Sequence, residues 1–289
     1  MAAECCGIMV VYTSGSILSI RFACDYLAAY RRRRIRSGIV GIRVMERLVA
    51  VIPAFNEAGT IRDVVTRALQ FVPQVVVVDD GSSDGTAGTL EGLPVTLISN
   101  PRNRGKAYSL ARGAEYAFAQ GADAIVTLDA DGQHYPEDIP RLMKAHGRDQ
   151  SAVVVGSRLH DRDSIPFDRY LANRFANFWI AWAAGQAITD SQSGFRIYPA
   201  GLLRSLITRA EQDPGFVFES EILIEAGRRG VRVLDVPVSA VYPERARRSY
   251  FRPILDILRI TRMVAWKLLS RGLYLSGLVR SLRWPDSSD

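Results

Sequence analysis

The sequence predicts an α/β fold, a mostly parallel central sheet with flanking helices. Short apolar runs alternate with amphipathic helical patterns along most of the chain, and each run stops at a polar or proline-bearing turn. That order is expected of buried parallel strands joined by right-handed helical crossovers. The composition agrees: 289 residues, 48% hydrophobic and 23% charged, can fill one large core or two modest ones and exclude a mostly disordered chain.

The first strand is predicted at 48–53, Leu-Val-Ala-Val-Ile-Pro, and a helix follows over 58–71. Val75-Val76-Val77-Val78 forms the second strand and runs into the polar turn from Asp79 to Thr86. Further strands are expected at 95–98, 124–128 and 153–156, with helices near 105–120 and 137–146. In such a sheet the ligand-binding loops gather at the carboxyl ends of the strands. Beyond residue 160 a long helix over 168–185 is rich in Phe, Trp, Ala and Asn. A turn from Thr189 to Arg196, helices at 199–210 and 218–229, and a strand at 231–236 come next. Pro253 can open a last helix over 253–270. On a helical plot Arg252, Asp256, Arg259, Arg262 and Lys267 share one sector; Ile254, Ile257, Leu258, Val264, Ala265, Leu268 and Leu269 fill the other.

Charge is unevenly spread. Residues 1–47 are net +5, 48–239 net −4 and 240–289 net +6, which gives +7 overall. Basic ends around an acidic centre suit termini that rest on anionic lipid and a middle that holds carboxylates for a metal, and equally a nucleic-acid binder. No nucleic-acid recognition motif supports the latter. Cys5, Cys6 and Cys24 cannot build a disulfide framework or a four-cysteine metal site, and no run of eighteen mostly apolar residues predicts a membrane span. Residues 1–44 read as an extension, poorly ordered or a misassigned start, because Met45 stands just before the first strand; 45–240 reads as the catalytic domain and 241–289 as a basic amphipathic helical tail.

The most informative constellation runs from Thr127 to His134. Asp129 and Asp131 follow an apolar strand, where a loop can turn both carboxylates onto one hard divalent ion, with Gln133 as a neutral oxygen donor and water and phosphate oxygens completing the shell. Mg²⁺ or Mn²⁺ fits those donors. His134 has no histidine partner at zinc-site spacing and reads as a supporting or packing residue. Neither a Gly-x-Gly-x-x-Gly nor a P-loop is present. A nucleotide in the crevice would instead meet Glu57, Asp79 or Asp80. Arg158, Arg174 and Arg196 are candidates for phosphate recognition, because a guanidinium forks onto phosphate oxygens. Asp190 and Glu221 are candidates for acceptor positioning or base work.

Taken together, Val51 to Glu57, Asp79 to Thr86, Asn103 to Ala107, Asp129 to Asp138, Gly156-Ser157-Arg158, Ser193 to Arg196, Phe218 to Glu221 and Val236-Pro237-Val238 resemble the inverting family 2 glycosyltransferases of the GT-A type, especially the polyprenyl- and dolichyl-phosphate sugar synthases. The resemblance implies the GT-A nucleotide-diphospho-sugar transferase fold. It implies a nucleotide pocket at Pro53, Phe55, Glu57, Asp79, Asp80 and Lys106, and a metal and donor diphosphate held by Asp129, Asp131 and Gln133. Catalytic parts fall to Asp131, Asp190, Arg158 and Arg196, and acceptor contacts to Arg158, Arg174, Arg196 and Glu221. A polyprenyl phosphate already carries an anionic nucleophile, so its transfer needs alignment and charge neutralisation more than proton removal. A hydroxyl acceptor on a glycan, lipid or polyene would need a base, and Asp190 is the first choice. A catalytically silent nucleotide-sugar-binding protein is the non-enzyme alternative. The implied partners are a nucleotide sugar, a lipid-phosphate acceptor and an anionic membrane surface, with a cytoplasmic, peripheral location at the inner membrane face.

Overall fold

The computed structural model describes residues 47–159, 165, 167–210, 217–239 and 253–282. The expectations for residues 1–44 and for Arg252 lie outside the described residues. The strands are β1 (Leu48–Ala54), β2 (Gln74–Asp79), β3 (Thr96–Ser99), β4 (Ala124–Thr127), β5 (Val153–Ser157), β6 (Arg196–Pro199) and β7 (Val233–Pro237). They form one sheet in the order β3-β2-β1-β4-β6-β5-β7. β1 pairs in parallel with β2 and β4, aligning Val51 with Val76 and with Thr127. β6 runs antiparallel to both neighbours, with Arg196 opposite Thr127 and Val155. Sequence patterning reads this strand as a turn and the start of a helix. An arginine opens it, a proline ends it, and four residues are too few to show a period.

The helices are α1 (Ile61–Ala68), α2 (Lys106–Ala119), α3 (Ile139–Arg148), α4 (Phe167–Ala184), α5 (Ala200–Leu203), α6 (Val217–Arg228), α7 (Pro253–Leu269) and α8 (Leu275–Ser281). The segment expected as one helix over 199–210 is a single α-turn, α5, followed by a 3₁₀ turn at Ile207–Arg209. α8 has no counterpart in the sequence reading.

Alternation along the strands sorts side chains onto two faces. Val49, Val51, Val76 and Val78 join one apolar cluster with Leu110 and Phe118 of α2, Ile180 of α4 and Ile222 and Leu223 of α6. Ala50, Ile52, Val75 and Val77 join the other, with Ile61 and Val65 of α1 and Ile139 and Leu142 of α3. Both faces are therefore covered, which explains why these strands are continuous apolar runs rather than alternating ones. Each fully buried Val, Ile or Leu contributes about 1.5–3 kcal/mol against the entropy of ordering the chain.

The C-terminal helices add to the first cluster through Val264 and Leu268. Trp182 of α4 donates its indole N–H to the Tyr274 carbonyl at 3.2 Å, fixing the turn that leads into α8. The helical plot is corrected on both faces; Ala265, placed with the apolar residues, is exposed. Lys267, placed with the solvent-facing sector, is buried, with Nζ 3.0 Å from Glu221 and 2.6 Å from Glu225. Leu269, placed on the packing side, is 65% exposed. The helix turns its apolar stripe toward α4 and α6, and the polar face is split by the two α6 carboxylates that need a cation. No helix among the described residues is long and apolar enough to cross a membrane.

Candidate active site

The site lies along the rim where β1, β2, β4 and β5 end. Because β6 runs the other way, its entering loop, 189–195, reaches the same rim. The loops after β1 and β2 clasp each other. Asn56 takes a left-handed conformation (φ 55°), which asparagine tolerates better than most residues. Its amide N–H donates to Ser82 Oγ at 2.8 Å, and its side-chain oxygen accepts from the Ser83 N–H at 2.8 Å. The Glu57 and Ala58 amides donate to Thr86 Oγ1 and Asp84 Oδ2, at 2.8 and 3.1 Å. Pro53, Phe55 and Glu57 stand half-buried on this lip.

Asp79 and Asp80 are buried. Asp80 accepts from the amides of Arg104 and Gly105, at 2.9 and 2.8 Å, and from the Asn100 side chain at 2.6 Å. It thereby ties the loop before α2 to the end of β2 and sets where Lys106, the first residue of α2, stands. Gly81 sits beneath that loop at φ 76°, where an added Cβ would lie 2.6 Å from the Arg102 carbonyl carbon.

Asp129 and Asp131 leave β4 on a loop pinned on both sides. Thr60 Oγ1 donates to the Ala130 carbonyl and Thr127 Oγ1 to the Gly194 carbonyl, at 2.8 and 2.7 Å. Lys106 Nζ reaches Asp129 Oδ1 at 2.5 Å and Glu219 Oε2 at 3.2 Å. Burial alone would raise the pKa of Asp129, but the ammonium of Lys106, with help from His134 and Arg158, holds it down to about 2. Asp131 moves the other way, raised by burial and then by the charge of Asp129. His134, buried against Phe195 at a ring separation of 5.5 Å, is kept neutral by burial, its pKa pushed down to about 4. Gly194 closes the pocket wall: an added Cβ would fall 2.5 Å from Asp129 Oδ2, 2.7 Å from Oδ1 and 2.8 Å from Lys106 Nζ.

Arg158 and Asp190 form a unit. Asp190 is fully buried and accepts from the Arg158 amide and Nε at 3.1 and 3.0 Å, from Nη2 at 3.3 Å and from the Gln192 amide at 3.2 Å. Burial pushes its pKa up, but the Arg158 charge and these bonds outweigh it and the net shift is downward. A carboxylate so committed is a poor base, and its bonds hold the Arg158 backbone and guanidinium in place. Asn177 of α4 holds the same loop by accepting from the Ser191 amide and hydroxyl at 2.8 and 2.6 Å.

Three expected contacts are not brought to the rim. Arg196, expected at the acceptor, is fully buried; its guanidinium donates to the Ser191, Ser193 and Glu219 carbonyls and to the Tyr198 hydroxyl at 2.7–3.0 Å. Its donors satisfy otherwise buried acceptors, so it frames the loop from inside. Glu221 faces α7 and pairs with Lys267. Arg174 lies exposed on α4, over the Tyr170 ring at 6.0 Å. Sequence reasoning in turn missed Glu219. It sits two residues before Glu221, and two steps on a helix turn a side chain by about 200°, so the two glutamates face opposite ways. It also missed Gly194 as the wall behind Asp129.

Whether a divalent ion fits can be asked of the donor set. Among the described residues no three His, Cys, Asp or Glu side chains converge as a cage. Mg²⁺ and Mn²⁺ do not require one, since one or two carboxylates plus phosphate oxygens and water complete their shell. Asp129 and Asp131, both partly accessible, supply the hard anionic donors, and the Gln133 amide stabilises the loop by donating to Asp131 Oδ1 at 3.0 Å. The donor chemistry fits.

Comparison with known proteins agrees with this arrangement. A model of glycosyl transferase family 2 matches residues 49–208. A UDP-N-acetylglucosamine–dolichyl-phosphate N-acetylglucosaminyltransferase of Methanococcus voltae is 31% identical, the match covering 67% of this chain and 85% of the relative. An undecaprenyl-phosphate mannosyltransferase of Micrococcus luteus is 28% identical, over 78% of this chain and 96% of the relative. Among solved structures, glucosyl-3-phosphoglycerate synthase of Mycobacterium tuberculosis shares the fold: its UDP complex superposes with a TM-score of 0.55 at 22% identity, covering 83% of this chain and 81% of that one. A complex of the same enzyme with Mn²⁺, UDP and glucosyl-3-phosphoglycerate gives 0.52 at 23% identity, over 78% and 79%. With the acidic pair at the end of β4, the clasped β1 and β2 loops and a family match across more than half its length, this chain belongs to glycosyl transferase family 2.

Proposed function

We propose that the chain transfers a sugar from a nucleotide sugar to a polyprenyl phosphate at a membrane face, with inversion at the sugar carbon. The observation that carries the acceptor class is the Arg158–Asp190 unit. The carboxylate that would serve a hydroxyl acceptor is engaged by an arginine and unsuited to take a proton, which favours an acceptor that arrives ionised and can bond the same guanidinium. The names of the relatives support the same class.

In this reading Pro53, Phe55, Glu57 and Asp79 line the nucleotide pocket, and Asp80 sets the loop that delivers Lys106 to it. Asp129, Asp131 and Gln133 would hold Mg²⁺ or Mn²⁺, which when bound neutralises the donor diphosphate as it leaves. Arg158 orients the acceptor phosphate so that its oxygen attacks the anomeric carbon in line. One displacement with no covalent enzyme intermediate inverts that carbon.

The membrane face draws support from the surface around α4, α7 and α8. Phe167, Leu171 and Phe175 on α4, Trp266 and Leu269 on α7, and Leu275 and Val279 on α8 are each at least half exposed. Residues 257–282 carry no carboxylate, and besides the buried Lys267 their cations Arg259, Arg262, Arg271 and Arg280 are exposed, a pattern that suits anionic headgroups beside inserted apolar side chains.

The test is a product assay with Mg²⁺ or Mn²⁺, a panel of radiolabelled sugar nucleotides, and polyprenyl phosphate beside the dephosphorylated polyprenol. Label entering only the phosphate lipid is expected. Label entering polyprenol or a glycan equally well overturns the acceptor class. Asp131→Asn should lower transfer at least a hundredfold while the far-ultraviolet circular dichroism is retained.

A further inference from the structure

We propose that Lys106 is a placeholder cation that occupies the charge site of the divalent ion and steps aside to Glu219 when the ion binds. This rests on the donor-site reading above and deepens it. Nζ sits 2.5 Å from Asp129 Oδ1, the carboxylate assigned to the ion. A dication drawn to Asp129 would meet the ammonium head-on, and two like charges within a few ångströms in a partly buried pocket repel by several kcal/mol at an effective dielectric of about 20. The lysine must therefore move.

A destination lies next to it. Glu219 already touches Nζ through Oε2 at 3.2 Å, and its other oxygen, Oε1, is buried without a hydrogen-bond partner among the described residues. An orphaned buried carboxylate oxygen is costly unless something fills it in another state. Gly194 closes one side of the ammonium, since even a methyl group there would overlap both the Asp129 carboxylate and Nζ. Glu219, already in contact with Nζ, is the carboxylate to which the ammonium can move on leaving Asp129. The lysine stem is flexible and unbranched, which suits a charge that travels a short distance. The device keeps the acidic pair neutralised while no donor is present, and it makes the ion bind more tightly once a diphosphate brings negative charge to share with both cations.

The test is Mn²⁺ binding to the nucleotide-free full-length protein, read by electron paramagnetic resonance of the free ion. Lys106→Gln should tighten Mn²⁺ at least about fivefold. Glu219→Gln should weaken it in the presence of Lys106 and change it less than twofold in the Lys106→Gln background, because the berth matters only when there is a lysine to receive. Plain charge addition predicts the same weakening in both backgrounds, and that result overturns the proposal, as does an unchanged or weaker affinity in Lys106→Gln. A second measurement needs no variant at this position: the ¹⁵N-labelled lysine ammonium of the wild-type protein that is protected by the Asp129 pair should shift when Mg²⁺ is added. An unmoved resonance with Mg²⁺ bound overturns it. If wild-type protein binds no Mn²⁺ even with a nucleoside diphosphate present, the donor-site reading itself fails; if it binds Mn²⁺ and the cycle is additive, only the role of Lys106 falls.

Discussion

Helix α6 carries two lysine–carboxylate clusters, and they differ in a way that separates holding the fold from serving the site. At its first turn Glu219 meets Lys106 of α2, shared with Asp129. Farther along and on the other side of the helix, Glu221 and Glu225 meet Lys267 of α7, and Arg228 adds a second cation at 3.5 Å from Glu225. The counts are alike, two carboxylates around one ammonium. The surroundings are not. The Lys267 side chain is 10% exposed and lies between packed helices, whereas that of Lys106 is 24% exposed, opens on the rim and leaves one oxygen of its glutamate unpartnered. A buried ion pair with every group engaged stabilises one geometry; one with an open edge and a spare acceptor can change partners.

Breaking the first kind should have the largest cost. Lys267→Met leaves Glu221 and Glu225 facing each other with less compensation and should lower unfolding free energy by about 3 kcal/mol in urea titrations. The loss should be the same with and without Mn²⁺, and recovery by Mn²⁺ would erase the distinction between the two clusters. Gly194→Ala comes next. The new methyl group overlaps the Asp129 carboxylate, so a loss of about 2 kcal/mol is expected, together with weakened Mn²⁺ binding, and unaltered binding would show that the close approach does not frame Asp129.

A carboxyl group outside both clusters sharpens the comparison. Asp235 on β7 has one oxygen buried without a partner, and burial raises its pKa to about 7 from the ordinary 3.8. Between those values the folded protein holds a proton that the unfolded chain has lost, so this group's contribution falls as pH rises from about 4 to 7 and stays low above. Asp235→Asn should therefore be more stable than the wild type at pH 8 and match it near pH 4, as read by thermal melts across that range. The smallest effect belongs to Arg174→Gln. On an exposed face it should change stability by less than about 0.5 kcal/mol, while retention on vesicles containing anionic lipid decreases; unchanged retention would remove α4 from the proposed membrane face.

The first half of the fold was legible because its strands are covered on both faces and so read as unbroken apolar runs at 48–54, 74–79 and 124–127. β6 was not, because a central strand that begins with a buried arginine makes sense only once the Ser191, Ser193 and Glu219 carbonyls are known to surround it. The site divides in the same way. Asp129 and Asp131 could be picked out because acidic residues directly after an apolar strand announce a rim position. The role of Asp190 depended on where a residue 32 positions away would stand, and the choice of Glu219 over Glu221 depended on the rotational phase of α6. Partners fixed by long-range packing leave no local signal.

Helix α6 has a mechanical consequence. Its 12 residues make a stiff rod about 18 Å long, gripped by α7 along its middle and ending in Glu219 at the donor rim. Displacing α7 would tilt that rod and shift the glutamate against Lys106. One continuous helix thus joins the Lys267 cluster, on the helix that carries Trp266, to the Lys106–Asp129 pair at the rim.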